Sequence, residues 1–468
     1  MEKFSGAAPL IHPERNATGK VLSSKGMTAL SFISLVGYFL LAYKIDRTQT
    51  IFLYLTFAAL FFIYGWLLEF NFSKKQLYYL LFAALCFRAV FLFSIPHLSD
   101  DYFRFIWDGR LSAHGINPFN VLPLHFYQTH EALHAGVSGS IYEGLNSKNY
   151  YTIYPPVMQG IFWLAAKLFP QNITGSLVVM RVFIILAESG TIFLIRRLLI
   201  HWKKNENLSL LYAWNPLVIA ELSGNLHFEA IMIFFLLLAV YLLVKQKEGW
   251  SGLAFGMAVA TKLLPLILLP ALIRRIGWKK TLGIGIISLG VIAILFLPFM
   301  DAVFFKNVSS SIELYFHKFE FNAGLFYVIR WLGFQIKGYD VIHTVTKWLA
   351  LLVLLGIILY IWKEKKPEVQ NIFRAWMWIW LIYLACSTIV HPWYVTPLIA
   401  FAVFSGYRFP VVWSGVIILS YYAYRQAPYH ESMVLVALEY GTVIAMMLWE
   451  FNKTKDKKNN HQSRTNAV

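Results

Sequence analysis

The chain has 468 residues, of which 58% are hydrophobic and only 14% charged, against about 25% charged in ordinary soluble proteins. Its net charge is +17, but the basic residues are scattered through short polar stretches between apolar runs. That excludes a nucleic-acid partner and fits the Lys/Arg bias of loops on one side of a membrane. Cys86 and Cys386 both lie inside apolar runs, so neither a disulfide framework nor a cysteine metal site is expected.

Residues 1–26 are polar and carry Lys3, Arg15, Lys20 and Lys25 with no apolar core of a signal peptide; they read as a cytoplasmic segment. Apolar runs long enough to cross a bilayer follow at 28–44, 50–70 and 76–96, then at 207–222 and 227–246. More come at 280–300, 341–362, 372–390, 394–405, 409–427 and 431–450. The stretch 155–169 with 173–197 reads as two spans, or as an interfacial helix and one span. The stretch 251–274 reads as one span, or as a hairpin broken near Lys262 and Pro265.

Charge bias favours the second reading of both. With the N-terminus in the cytoplasm, Lys74-Lys75, Arg196-Arg197, Lys203-Lys204, Lys245/Lys247, Arg274-Arg275, Lys279-Lys280 and Lys363/Lys365/Lys366 then all face inward. Residues 27–451 are expected to form a single integral membrane domain of all-α, polytopic class with about 11–14 transmembrane helices. Two longer extracytoplasmic loops, 97–152 and 302–340, would carry short amphipathic helices, and 452–468 would be a basic cytoplasmic tail.

In this threading polar groups far apart in sequence emerge on the outer side. The first is Ser99-Asp100-Asp101-Tyr102-Phe103-Arg104-Phe105-Ile106-Trp107-Asp108-Gly109-Arg110. Ser99 can cap a helix with both aspartates in its first turn, where the dipole favours negative charge. Gly115 can end that helix, and Asn117-Pro118 signals a turn. At helical spacing Asp101, Arg104 and Asp108 share one face. The pattern reads as an amphipathic helix lying at the outer interface. Its carboxylates could take a proton from a hydroxyl, and nearby cations could stabilise an anionic leaving group. A capped helix with internal ion pairs is the simpler alternative.

Asp100-Asp101-Tyr102-Phe103-Arg104, Trp107-Asp108-Gly109-Arg110 and Gly115-x-Asn117-Pro118-Phe119 resemble the first-loop signature of bacterial GT-C glycosyltransferases, closest to the polyprenyl-phosphate-mannose-dependent mannosyltransferases. Tyr154-Pro155-Pro156, Asn225-Leu226-His227-Phe228-Glu229-Ala230, Ala260-Thr261-Lys262-Leu263-Leu264-Pro265 and His391-Pro392-Trp393-Tyr394 are similar to later family elements in the same order. Members often carry Asn-Asp where this chain has Phe228-Glu229. The resemblance implies a GT-C-type fold, a polyprenyl-phosphate-linked sugar donor and a lipid or glycan acceptor. It also implies inverting displacement with Asp100 or Asp101 as general base, at a multi-pass inner (plasma) membrane site facing the periplasm or exterior. Substrate-binding roles would fall to Arg104, Trp107, Asp108, Arg110, Asn117, Tyr154, Asn225, His227, Glu229, Lys262, His391 and Tyr394. No cofactor and no metal are expected.

The single residues have plainer alternatives. Lys262, among apolar neighbours at a cost of about 2.5–3.5 kcal/mol, could hold the donor phosphate or snorkel to the interface. His227 and Glu229 could shape a sugar pocket or merely flank a membrane entry. His391 to Tyr394 could bind phosphate, stack on sugar or form an aromatic belt. Arg181 and Glu188, two turns apart, could pair along one helix face. A lipid or solute transporter, for which no internal repeat is visible, and another oligosaccharide-processing membrane transferase are the rival readings.

Overall fold

The computed structural model describes residues 22–465 except 138, 365, 366 and 427, and for 315–318 and 454–465 the backbone only. Lys3, Arg15, Lys20, Lys365 and Lys366, and the side chains of Lys455, Lys457, Lys458 and Arg464, therefore lie outside the described residues.

The chain is an all-α polytopic membrane protein. The helices in chain order are α1 Ser24–Tyr43, α2 Thr50–Leu67, α3 Lys74–Val90, α4 Asp101–Ala113, α5 Pro156–Leu168, α6 Ile173–His201, α7 Glu229–Val244 and α8 Glu248–Thr261. They continue as α9 Trp278–Phe296, α10 Phe304–Lys318, α11 Gly324–Lys337, α12 Ile342–Lys363, α13 Ile372–Ala385, α14 Thr396–Ser405, α15 Phe409–Val416 and α16 Met433–Thr465. Short helices fill the connections, among them the 3-10 helices Leu264–Leu272 and Ile417–Arg425. Starts are capped as the sequence dictates: Ser23 accepts from Gly26 N, Ser73 and Gln76 form a capping box, and Asn172 accepts from Gly175 N.

Among the described residues six helices are long and apolar enough to cross a bilayer: α1, α2, α6, α9 with its terminal turn, α12, and α16 over Met433–Lys453. The other stretches expected to cross are shorter, such as α3 with 17 residues and α13 with 14. Leu282, Ile286 and Leu289 on α9 are each more than half exposed. Spaced four and three apart, they make one stripe that fits lipid rather than water.

The region 207–246 departs from two plain spans. Pro216 has no N–H to continue a helix, and Asn215 starts a new turn by accepting from Val218 N. A π-turn, Ile219–Gly224, follows, and the chain bends by 113° into α7. Leu226 in the break has φ +63, costly for a side chain of that shape.

Both ambiguous regions resolve by length. Helix α5 has 13 residues, about 20 Å, too short to cross about 30 Å of hydrocarbon, whereas α6 has 29. Helix α8 ends at Lys262, whose backbone is extended, and the chain continues as a 3-10 helix Leu264–Leu272. That segment returns: Ile276 lines the same cavity as Glu248, the first residue of α8.

Charge segregates along the bundle. At one end Arg196 pairs with Glu206, Lys280 with Glu248 and Arg275 with Glu364, and Lys204 donates to Phe404 O. The polar cluster described below occupies the other end of α7 and α8. Between them Arg88 and Glu188 form a fully buried pair at 2.9 Å, completed by Tyr212, Ala84 O and Ala213 O. The partnership of Arg181 with Glu188 considered from their spacing does not form. Arg181 instead donates to Ser223 O, Gly224 O, Leu92 O and Ser94 O, tying α6 to the break before α7.

Candidate active site

Helix α4 starts at Asp100, its N-cap, while Ser99 Oγ accepts from Asp101 N at 3.3 Å. Gly115, at φ +77, lets the chain turn away after the helix ends. The helix packs with most of its residues inside the protein. Residues Arg104 to Leu111 are buried, covered on one side by α5 and on another by the loop that carries Phe126, Gly136 and Tyr142. Gly109 makes the close approach possible: a Cβ there would stand 2.4 Å from Phe162 O.

The charged face of α4 divides into two parts. Arg104 pairs with Asp108 at 2.8 Å and donates to Tyr150 O at 3.0 Å. Asp108 also accepts from Thr152 at 2.5 Å and Gln159 at 3.0 Å. These buried bonds bind the loop 147–152 and α5 to α4. Trp107 packs on Phe126 and Tyr142, and Arg110 donates to Gly136 O. Asn117 accepts from Phe119 N and donates to Phe299 O. Tyr154 sits edge-on to Phe105, which stacks on Phe162 at 4.8 Å. Phe228 packs edge-on to both Phe105 and Phe162. Thus Arg104, Trp107, Asp108, Arg110, Asn117 and Tyr154 stand in the frame around the aspartates.

The aspartates themselves face the polar cluster. Asp100 forms an ion pair with Arg47 at 2.5 Å, and the guanidinium lies 4.9 Å from the Tyr424 ring centre. Asp101 accepts from Asn146 Nδ2 at 3.1 Å through Oδ1; its other oxygen accepts no hydrogen bond among the described residues. Burial, more than anything else, pushes the Asp101 carboxyl above the ordinary aspartate range, and the charges of Asp100 and Glu229 add to that. The Asn146 hydrogen bond and the Lys262 ammonium act in the opposite direction.

Lys262 stands at the break after α8, 2.5 Å from Glu229 Oε1 and 5.5 Å from the Tyr394 ring centre. Its field reaches Asp101, His227 and His391. Trp393 is sandwiched between two imidazoles, His227 at 3.7 Å and His391 at 4.3 Å, in a near-parallel stack. His227 Nε2 stands 3.4 Å from Glu221 Oε2 without a hydrogen bond. Glu221 accepts from Tyr421 and from Asn225, and Asn225 Oδ1 accepts from Leu98 N. Burial first, then Lys262, pushes His391 down to about 3, so its ring is neutral near pH 7. Glu229 Oε2, His227 Nε2 and His391 Nδ1 are all buried without a hydrogen-bond partner among the described residues. Three orphaned polar atoms in one neighbourhood suit a polar guest.

The structure therefore brings Asp100, Asp101, His227, Glu229, Lys262, His391 and Tyr394 to one end of the bundle, with Asn225 behind His227. Trp393 comes with its motif, and Arg47, Asn146, Glu221 and Tyr424 join them without having been singled out. Arg47 carried one faint signal, a basic residue on the side where such residues are sparse. Among the described residues no three His, Cys, Asp or Glu side chains come together as a metal-binding group.

The arrangement can hold an anion beside Lys262 while Asp101 receives a proton, as a displacement at a carbon bearing a phosphate requires. Residues 19–276 match a family model, the MptA_B family, described as alpha-(1->6)-mannopyranosyltransferase, N-terminal domain. The match contains the aspartates, Asn225 to Glu229 and Lys262, and leaves His391 to Tyr394 outside. No curated protein matches the chain.

Proposed function

The chain belongs to the MptA_B family and is a membrane mannosyltransferase; on that premise we propose that it moves mannose from a polyprenyl-phosphate donor to a hydroxyl of a lipid or glycan acceptor on the extracytoplasmic face, forming an α-(1→6) bond. The observation that carries this reading is that the Asp101 carboxyl lies within reach of the Lys262 charge in the polar cluster. The acceptor oxygen gives its proton to Asp101 as it attacks the anomeric carbon. The bond from that carbon to the phosphate oxygen breaks with its electron pair, and the phosphate leaves next to Lys262. Asp101 is favoured over Asp100 as base because Arg47 already engages Asp100 at 2.5 Å, whereas Asp101 keeps a free oxygen and a raised carboxyl pKa. Arg47 then holds Asp100 as a counter-charge beside the base. The outward face is supported by the basic residues gathered at the opposite end.

In-line displacement inverts the anomeric centre, so an α product needs a β-linked donor. The test is transfer by the reconstituted protein from synthetic β- and α-anomers of polyprenyl-phosphate mannose and from a nucleotide-linked mannose. Transfer from the β-anomer alone is expected. Equal use of the α-anomer, or use of the nucleotide donor, refutes the reading.

A further inference from the structure

A cavity of about 460 Å³ lies at the basic end of the bundle, lined among others by Trp202, Val244, Glu248, Arg275, Ile276 and Lys280. That volume is within the range of about 300–1,000 Å³ typical of small-molecule sites. Helix α7 runs from Glu229 in the polar cluster to Val244 at this cavity, and α8 runs back from Glu248 to Thr261. The cavity is thus about 20 Å from the candidate active site and owes nothing to the mechanism proposed there.

Its wall has two characters. Trp202, Val244 and Ile276 give an apolar side, and Lys280 paired with Glu248 a charged one, with the Arg275 guanidinium buried behind it. The Arg275 side chain has no exposure. It donates to Ala271 O at 2.7 Å and to Glu364 at 2.5 Å, yet its Nε is buried without a partner among the described residues, as is Glu364 Oε2. Leaving a buried guanidinium donor unmade is costly, so the site suits an additional acceptor. Lys280 bonds to Glu248 at 2.6 Å, but its side chain is 53% exposed. Such a water-screened contact is weak and frees Lys280 readily.

We propose that this cavity binds the phosphate of an anionic membrane lipid, with the headgroup on Lys280, the buried Arg275 guanidinium behind it, and the first carbons of its chains against Trp202 and Val244. Three observations select a lipid over a free phosphate ester. The apolar wall has no use for a small soluble anion. Trp250 and Trp278, beside the two ends of the α8 hairpin, are 64% and 63% exposed, and tryptophans at that level mark a membrane–water boundary. Lys203, Lys245, Lys247, Arg274 and Lys279 belong to the same end of the bundle, and basic pockets between helices at such a face draw anionic headgroups.

The test uses the purified full-length chain in neutral detergent, titrated with dioctanoyl phosphatidylglycerol, dioctanoyl phosphatidylcholine or glycerol 3-phosphate and followed by thermal unfolding. Phosphatidylglycerol is expected to raise Tm in a saturable way, and the other two are not. Lys280→Gln should raise the half-saturating concentration at least fivefold. Val244→Trp, which fills the cavity, should abolish the shift while leaving the lipid-free Tm near that of the wild type. Arg275→Gln is avoided because it strands buried Glu364. An equal response to phosphatidylcholine, a response unchanged in both variants, or no response at all overturns the proposal. A full shift with glycerol 3-phosphate overturns the lipid as its source.

Discussion

Lys262 and Glu229 offer a way to separate what holds the polar cluster together from what acts in it. Their side chains are 25% and 3% exposed, 2.5 Å apart, and Glu229 Oε2 has no other partner among the described residues. Replacing Lys262 by Gln leaves the carboxylate buried and uncompensated. Breaking a fully buried pair costs about 3–5 kcal/mol; the partial access of Lys262 places this one nearer about 2–3 kcal/mol. Glu229→Gln is milder, because an ammonium with partial access can turn to water. The double variant Lys262→Gln/Glu229→Gln removes both charges, and a neutral amide pair can hydrogen-bond in the same space. It should regain at least half of the stability lost in Lys262→Gln yet stay inactive, since no ammonium remains beside the leaving phosphate. The assay is a double-mutant cycle of thermal or denaturant unfolding in detergent, with mannosyl transfer measured on the same samples. A double variant no more stable than Lys262→Gln refutes the electrostatic account of the pair. A double variant that transfers mannose at the wild-type rate refutes the role of Lys262.

Other expectations follow from neighbouring contacts. The raised carboxyl pKa of Asp101 places the acid limb of the kcat/KM profile above the ordinary aspartate range, with activity lost as pH falls through it. Asn146→Ala removes a bond that favours the charged form, so that limb should move further up in pH; an unmoved limb contradicts Asp101 as the titrating base. The same sign governs stability, because the ionised Asp101 opposes folding and the protein should gain stability as pH falls through its raised pKa. Arg47→Gln should change stability by less than about 1 kcal/mol, since both side chains have solvent access, while reducing kcat. Loss of stability without loss of rate would make Arg47 a purely structural contact. Gly109→Ala sets a Cβ against Phe162 O and should destabilise by about 2 kcal/mol or more, read as a lower Tm; an unchanged Tm would contradict the close packing of α4 on α5.

The sequence makes the broad site legible because its members flank apolar runs. Asp100 and Asp101 follow one run, Glu229 opens another, and Lys262 and His391 stand at breaks. A threading that puts basic clusters on one side places them together on the other. Their mutual distances depend on how helices pack, and periodicity is silent on that. Spacing thus puts Asp101, Arg104 and Asp108 on one face but does not single out the Arg104–Asp108 pair or its burial beneath α5. It places Arg181 and Glu188 on one face but cannot see Arg88 arriving from α3. Arg47 and Asn146 are single polar residues in connections, and only tertiary contact distinguishes them from solvated surface. The crossing of 207–222 is broken by Asn215-Pro216, a local signal that hydropathy averages away.

The most direct test of the account is the single-turnover rate of mannosyl transfer from β-linked polyprenyl-phosphate mannose by Asp101→Asn, beside wild type and Asp100→Asn at matched folded protein. The amide is close to isosteric and keeps a partner for Asn146 but cannot take the acceptor's proton. Loss of general-base help predicts a fall of about 10²–10⁴-fold for Asp101→Asn, and a smaller one for Asp100→Asn. Transfer at the wild-type rate by Asp101→Asn, or a deeper loss in Asp100→Asn, would contradict the assignment of Asp101 as the base.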